Sequence, residues 1–373
     1  MDHSPVVNSS SPALLYDGRI GELYRIFLLN LLLTILTLGI FRFWAVTRYR
    51  RYIWSRMRFQ GDRFEYTGTG GELFVGYLLA GLVLIGIAIA AGVTSFLLAK
   101  LWPPLAILPM IMLYILFGVL AAGAIFSAQR YRLSRTLWRG IRGGMTGSMV
   151  RYGIRAILYG VLALMTLLQL VPWMQVRLAE RRINASSFGN APFSFRGRAG
   201  RLYLAYLVTL IATIILFAIV GTTVWSFVRG IHLGLLTSRQ PADVQAAARQ
   251  IQRLIWAILS GLVVFGILAG LVATWYTAMF ARHVAGNTTL ASMHFASSIT
   301  GRALFGLMLG NLLIMLFTLG LGYPVLLHRN VHFLARTLWV DGTLDASLLT
   351  QSSLRAPRFG EGMFEQLDAG GVF

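Results

Sequence analysis

The stretch YDGRIGELY at residues 16–24 recurs as YTGTGGELF at residues 66–74 and as FRGRAGRLY at residues 195–203. In each copy an aromatic residue is followed two positions later by glycine, three later by another glycine, and then by an apolar run. Glycine admits a tight, non-helical backbone. A carboxylate in the first helical turn offsets the positive helix end, and an aromatic ring anchors at a membrane–water interface. Gly18, Gly21, Glu22, Gly68, Gly71, Glu72, Gly197 and Gly200 are therefore expected to form a repeated device that starts membrane helices. Arg201 replaces the glutamate in the third copy, so Glu22 and Glu72 read as structural and not catalytic.

The runs that follow are long. Of 373 residues, 57% are hydrophobic and 12% charged, where a soluble domain carries about 25% charged residues. Apolar segments fall at residues 23–44, 73–99, 105–127, 152–173, 202–227, 254–281 and 303–327. Each is near the ~20 residues that carry a helix across ~30 Å of hydrocarbon. The expected fold class is all-α: a polytopic integral membrane helical bundle with internal repeats and about seven apolar segments, read as seven crossings, with re-entry of some of them as the alternative. KLWPP at residues 100–104 makes the second and third segments a helical hairpin, because proline blocks helix continuation. PADVQAAARQIQR at residues 241–253 reads as a short surface helix. Cysteine is absent, which excludes disulfides, thiolate nucleophiles and cysteine-held metals. Residues 1–11 are polar and show no cleavable leader.

The repetition extends beyond the opening phrase. A constant offset of 129 places Gly18 on Gly147, Thr37 on Thr166, Trp44 on Trp173, Arg48 on Arg177, Phe59 on Phe188 and Gly68 on Gly197. NLLLTILTLGI at residues 30–40 matches NLLIMLFTLGL at residues 311–321, and SRTLW at residues 134–138 matches ARTLW at residues 335–339. The expected organisation is a disordered tail at residues 1–13, a first membrane repeat at 14–143, a second at 144–296, a closing half-repeat at 297–351 and a loose tail at 352–373.

The formal charge is +20, and every cation but Lys100 is arginine. These cations flank apolar blocks and no nucleic-acid module is visible, so they are read as contacts to anionic phospholipid head groups. On a helix through FRFWAVTRYRRYIWSRMRFQG at residues 41–61, Arg48, Arg51, Ser55 and Arg58 share one face, with Val46, Tyr49, Ile53 and Met57 opposite. That pattern suits an interfacial helix. Arg135 and Arg336, in the paired SRTLW and ARTLW phrases, join Arg48, Arg51 and Arg58 as candidate lipid or interface contacts.

TLGIFRFWAVTRYRRYIWSRMRFQGDRFEYTGTGGEL at residues 37–73, followed by SRTLWRGIRGG at residues 134–144, resembles the YjgN-like family of bacterial inner-membrane proteins. The resemblance covers about residues 16–348. It implies a polytopic inner-membrane protein and brings no catalytic residues with it.

Chemistry is sparse. His328 and His332 have four-residue ligand spacing but no adjacent carboxylate, and Arg329 repels a cation, so no metal and no cofactor is expected. No acidic residue lies deep in an apolar segment, where coupled pumps place one. Asn30 and Asn311 occupy matching positions and form a candidate buried polar pair. An enzyme is not expected. Two classes stay open: a transporter or channel for a small solute or lipid, or a scaffold or accessory subunit binding anionic lipid, a membrane-protein partner or a second copy. Seven simple crossings, with the arginine bias, place the C-terminus in the cytoplasm. The six arginines at residues 177–201 fit that scheme poorly. They fit better if the first, fourth and seventh segments turn back at TLGI, LQLVP and TLGLGYP.

Overall fold

The polar phrases between the helices are not plain loops. In the computed structural model, which describes residues 14–237, 242–344, 349–352 and 354, they fold as short β-hairpins. The chain runs β1 (Leu14–Tyr16), α1 (Ile20–Leu36), α2 (Arg42–Arg56), β2 (Met57–Phe59), β3 (Asp62–Tyr66), α3 (Gly70–Leu101) and α4 (Ile107–Arg135). It continues with β4 (Thr136–Trp138), β5 (Ile141–Met145), α5 (Met149–Met165), α6 (Val171–Ala185), β6 (Ser186–Phe188), β7 (Ala191–Phe195), α7 (Gly200–Thr237) and α8 (Ala242–Gly286). It ends with β8 (Thr288–Leu290), β9 (Met293–Ser297), α9 (Gly301–Phe317), α10 (Tyr323–Thr337) and β10 (Leu338–Asp341). The expected tails at 1–13 and 352–373 lie outside the described residues, apart from Ser352 and Leu354.

The ten strands form one antiparallel sheet in strict chain order. This corrects the all-α expectation. Each strand has only three to five residues, too few for an alternation signal among long apolar runs. The hairpins close through two-residue turns: Phe59 pairs with Asp62 and Trp138 with Ile141. Gln60–Gly61 and Arg139–Gly140 have positive φ at both turn positions, as a turn matching the strand twist requires.

The described residues form two units. One lies within Met1–Arg198, His283–Ser298 and Asn311–Phe373, and the other comprises Ala199–Arg282 and Ile299–Gly310. The first unit holds the sheet. Leu14 of one edge strand and Leu338 of the other line the same apolar cavity of about 150 Å³, with Phe59, Trp138, Phe193 and Met293. The sheet therefore curls into a collar around an aromatic interior. Trp138 is buried and donates from Nε1 to the Phe59 carbonyl at 3.1 Å. The C-terminal segment straps the collar: Arg142 donates to the carbonyls of Ser352 and Leu354, and Gln351 Nε2 to that of Gly140 at 3.0 Å.

Short helical hairpins hang from this collar. α1 and α2 run antiparallel, tied by Arg48 Nη1 to Asn30 Oδ1 at 3.2 Å and by Arg56 to Glu22 at 2.8 Å. α1, α5 and α9 have 17 residues each, and α2, α6 and α10 have 15 each. The three breaks are built alike. Thr37 Oγ1 accepts the Phe41 amide at 2.9 Å, Thr166 Oγ1 the Leu170 amide at 3.3 Å, and Thr318 Oγ1 the Gly322 amide at 2.7 Å. The next two residues are left-handed: Leu38 and Gly39, Leu167 and Leu168, Leu319 and Gly320. The first and fourth apolar segments are thus pairs of antiparallel helices rather than single continuous ones.

Among the described residues four helices are long and apolar enough to cross a membrane: Gly70–Leu101, Pro103–Arg135, Gly200–Ser226 and Ile251–Gly286. In the second unit α7 and α8 are antiparallel, with the Tyr206 and Tyr276 rings 5.3 Å apart and those of Phe217 and Phe265 6.3 Å apart. The short surface helix expected at residues 241–253 is instead the beginning of the 45-residue α8.

Candidate anionic-ligand site

The repeated phrase has a packing reason. A Cβ on Gly18 would sit 2.2 Å from the Tyr16 hydroxyl, one on Gly68 2.6 Å from Tyr66, and one on Gly197 2.3 Å from Phe195. The aromatic residue folds over its own glycine, so ring and glycine are one unit and the ring is not a free interfacial anchor. Gly21, Gly71 and Gly200 have nothing within 4 Å of an added Cβ. Glu22 and Glu72 lie in the first turns of α1 and α3, as expected. Each also holds the end of the partner helix: Glu22 binds Arg56, and Glu72 binds Arg135 at 2.9 Å and the Tyr131 hydroxyl at 2.9 Å.

Arg48, Arg51 and Ser55 share one exposed face of α2, opposite the buried Tyr49 and Ile53, and the other candidate contacts lie elsewhere. Arg48 donates from Nη1 to Asn30 and lies 4.9 Å over the Phe41 ring. Arg51 donates to the Gly68 carbonyl at 2.9 Å. Arg58 is in β2, beyond the end of the helix, and pairs with Asp17 at 3.0 Å. Arg135 belongs to the Glu72 pair, and Arg336 is exposed in the last turn of α10. Asn30 and Asn311 are not paired with each other, since Asn311 Nδ2 donates to Asn330 at 2.7 Å. His328 packs against the Tyr16 ring at 5.4 Å and the His332 ring at 5.8 Å.

A site that sequence reasoning passed over lies at the collar end of the α5/α6 hairpin. A cavity of about 670 Å³ is lined there by Arg151, Arg155, Arg177 and Arg181, with Ser148, Tyr159 and Glu180. α5 supplies Arg151 and Arg155 from its first turns, α6 supplies Arg177 and Arg181, and the antiparallel pairing brings both sets to one opening. Ser148 caps α5 by accepting the Arg151 amide, so the positive helix end also faces the cavity. Arg177 pairs with Glu180 at 2.8 Å, and Arg181 Nη2 donates to the Tyr159 hydroxyl at 3.3 Å. Among the described residues the Arg151 and Arg155 side chains have no partner, and the buried Nε of Arg181 has none. Glu180 is the sole acidic residue between Glu72 and Asp243. Like charges four apart on a helix cost about 0.2–0.5 kcal/mol a pair, and here two such pairs face each other. The arrangement can do one thing well, which is hold an anion. The signal that could have found it was the four-residue arginine spacing on both arms of one apolar segment.

The comparisons with known proteins agree with a membrane setting. A family model described as "Bacterial protein of unknown function (DUF898)" matches residues 11–366. The inner membrane protein YjgN of Salmonella typhimurium is 27% identical over 375 residues, covering 90% of each chain. The inner membrane protein YjgN of Escherichia coli K12 is 40% identical over 68 residues, 18% of this chain and 17% of that one. No solved structure matches.

Proposed function

This chain belongs to the DUF898 family, and from that premise we propose that it is a non-catalytic scaffold of the bacterial inner membrane that binds anionic lipid. Its long helical hairpins cross the bilayer, and its short ones dip into the cytoplasmic leaflet from a β-collar at the membrane surface.

The build of the short hairpin tips carries this reading. Leu38, Leu167 and Leu319 are 96%, 81% and 90% exposed, at the extreme of each hairpin. The backbone amides around them are nonetheless all used. Leu38 donates to Ile35, Gly39 to Thr34, Ile40 to Thr37 and Arg42 to Gly39, with the same four bonds around Leu167 and around Leu319. A turn in water needs no such economy, whereas in hydrocarbon each open amide costs several kcal/mol. A 17-residue helix is only about 25 Å long, short of the ~30 Å core, so re-entrant hairpins are the fitting geometry. The shared lengths and threonine breaks support reading the chain as tandem units at 14–143 and 144–296 with a closing half-unit at 297–351. Within the first unit the hairpins α1/α2, α3/α4 and α5/α6 all return to the collar, whose first two β-hairpins carry Arg58, Arg63, Arg139 and Arg142. We read that side as the cytoplasmic one, where anionic head groups concentrate, with the C-terminus on it as well.

The transporter reading is less favoured. Asn30 and Asn311, which would line a solute path, are each engaged by the facing arm of their own hairpin, through Asn30 Oδ1 and Asn311 Nδ2, while Asn30 Nδ2 and Asn311 Oδ1 stay unpartnered among the described residues. The test is native mass spectrometry of the protein extracted from its own membrane. The scaffold reading expects co-purified anionic phospholipid, enriched over the zwitterionic phosphatidylethanolamine; release of phospholipid in membrane proportions defeats it.

A further inference from the structure

Arg151 and Arg155 stand 129 positions after Glu22 and Ile26. In α1/α2 the carboxylate at that place closes the hairpin mouth by binding Arg56. In α5/α6 Arg56 is matched by Ala185, the carboxylate is matched by an arginine, and the mouth is an open cationic cavity. The same fold is thus built once with its charge satisfied internally and once with the charge left for something outside the chain.

We infer that the α5/α6 cavity is a specific binding site for a ligand carrying two phosphate groups, with Arg151, Arg155, Arg177 and Arg181 as its phosphate-binding residues. The inference deepens the anionic-lipid reading above and rests on it. Four guanidinium groups less the Glu180 charge leave three positive charges at the cavity, and a single phosphodiester supplies one negative charge. A diphosphate or bisphosphate supplies two or three. The length is also right: from Ser148 at the collar to Tyr159 the lining extends about 16 Å along the helix, room for two phosphates in sequence. The volume of about 670 Å³ is that of a small-molecule site, ~300–1,000 Å³, and exceeds what one phosphate needs. Guanidinium forks grip phosphate oxygens bidentately, and the Ser148-capped start of α5 adds backbone donors at the mouth. A two-phosphate lipid head group and free pyrophosphate share this chemistry.

The experiment uses the full-length protein in detergent, delipidated and then offered three probes: cardiolipin, with two phosphates; phosphatidylglycerol at matched charge, with one; and inorganic pyrophosphate. Native mass spectrometry and thermal unfolding read binding. The expected result is one cardiolipin per chain, bound at least tenfold more tightly than phosphatidylglycerol. Arg151→Glu, which copies the Glu22 arrangement, should abolish that preference, and Arg151→Lys should retain most of it. Should Arg151→Glu not fold, Arg155→Gln at its exposed position reads the same loss. Pyrophosphate binding that depends on Arg151, without cardiolipin preference, supports the two-phosphate site and assigns it to a soluble ligand. Equal binding of the two lipids with no Arg151-dependent pyrophosphate binding, or cardiolipin preference unchanged in the variants, overturns the site while leaving the anionic-lipid reading standing. Absence of any preference for anionic over zwitterionic lipid overturns both.

Discussion

Thr37 Oγ1 accepts the amide of Phe41 at 2.9 Å while donating to the Leu33 carbonyl at 2.7 Å. One hydroxyl thereby bridges the end of α1 and the start of α2. Thr318 repeats the pair of bonds at 2.6 and 2.7 Å.

Replacing Thr37 by valine keeps the shape and removes both bonds, leaving the Phe41 amide open. A buried donor left unmade costs about 1–3 kcal/mol. The thermal midpoint of T37V should fall, and Thr318→Val should fall similarly. An unchanged midpoint in both would show that water reaches the hairpin tips.

Leu168 takes the left-handed position held by Gly39 and Gly320 in the other two breaks, with φ 67°. A side chain there costs about 1–2 kcal/mol, against about 0.5–1 kcal/mol for the extra freedom of glycine in the unfolded chain. Leu168→Gly should raise stability by up to ~1 kcal/mol by that balance. Gly39→Ala, at φ 92°, should lower stability by about 1 kcal/mol. Denaturation of the two variants side by side checks the opposite signs.

Gly68 and Gly71 belong to one phrase but should respond differently to alanine. At Gly68 the new methyl would meet the Tyr66 ring at 2.6 Å and displace its hydroxyl from Arg50, 3.3 Å away, a loss of about 1–3 kcal/mol. At Gly71, with nothing within 4 Å, alanine should be neutral or add up to ~1 kcal/mol of helix stability. Thermal unfolding of both distinguishes ring packing from backbone flexibility as the reason for the motif.

Because the chain lacks cysteine, single cysteines report topology directly. Cysteines at Gln60 and Arg139, in the collar turns, should react with impermeant maleimide only in inside-out vesicles. One at Pro104 should react from the periplasmic side of intact spheroplasts, and ones at Leu38, Leu167 and Leu319 from neither. Labelling of Leu38 or Leu167 positions from the periplasm would restore seven full crossings.

The C-terminal strap should protect the collar. Ending the chain at Thr343 removes the acceptors that hold Arg142 and the buried Leu344 against the aromatic interior. Trypsin should then cut after Arg139 and Arg142 faster than in the full-length protein, and the position of the cuts can be read by mass spectrometry.

The amino-acid sequence determined the membrane setting, the two long hairpins and the recurrence of φ-x-G-x-x-G, because hydropathy, length and spacing are properties of a local window. The KLWPP hairpin was legible for the same reason: two prolines act on their own neighbours. The collar was not, since three-residue strands such as Ser186–Phe188 become strands only when an adjacent hairpin supplies the ladder. Nor was the partnering of charge. Arg56 and Arg181 look alike along the chain, but Arg56 meets Glu22 from the facing helix, whereas Arg181 shares a cavity with Arg151 and Arg155. Whether an arginine meets a carboxylate or other arginines depends on what the opposite arm of its hairpin presents, and only the antiparallel packing of the two helices decided that.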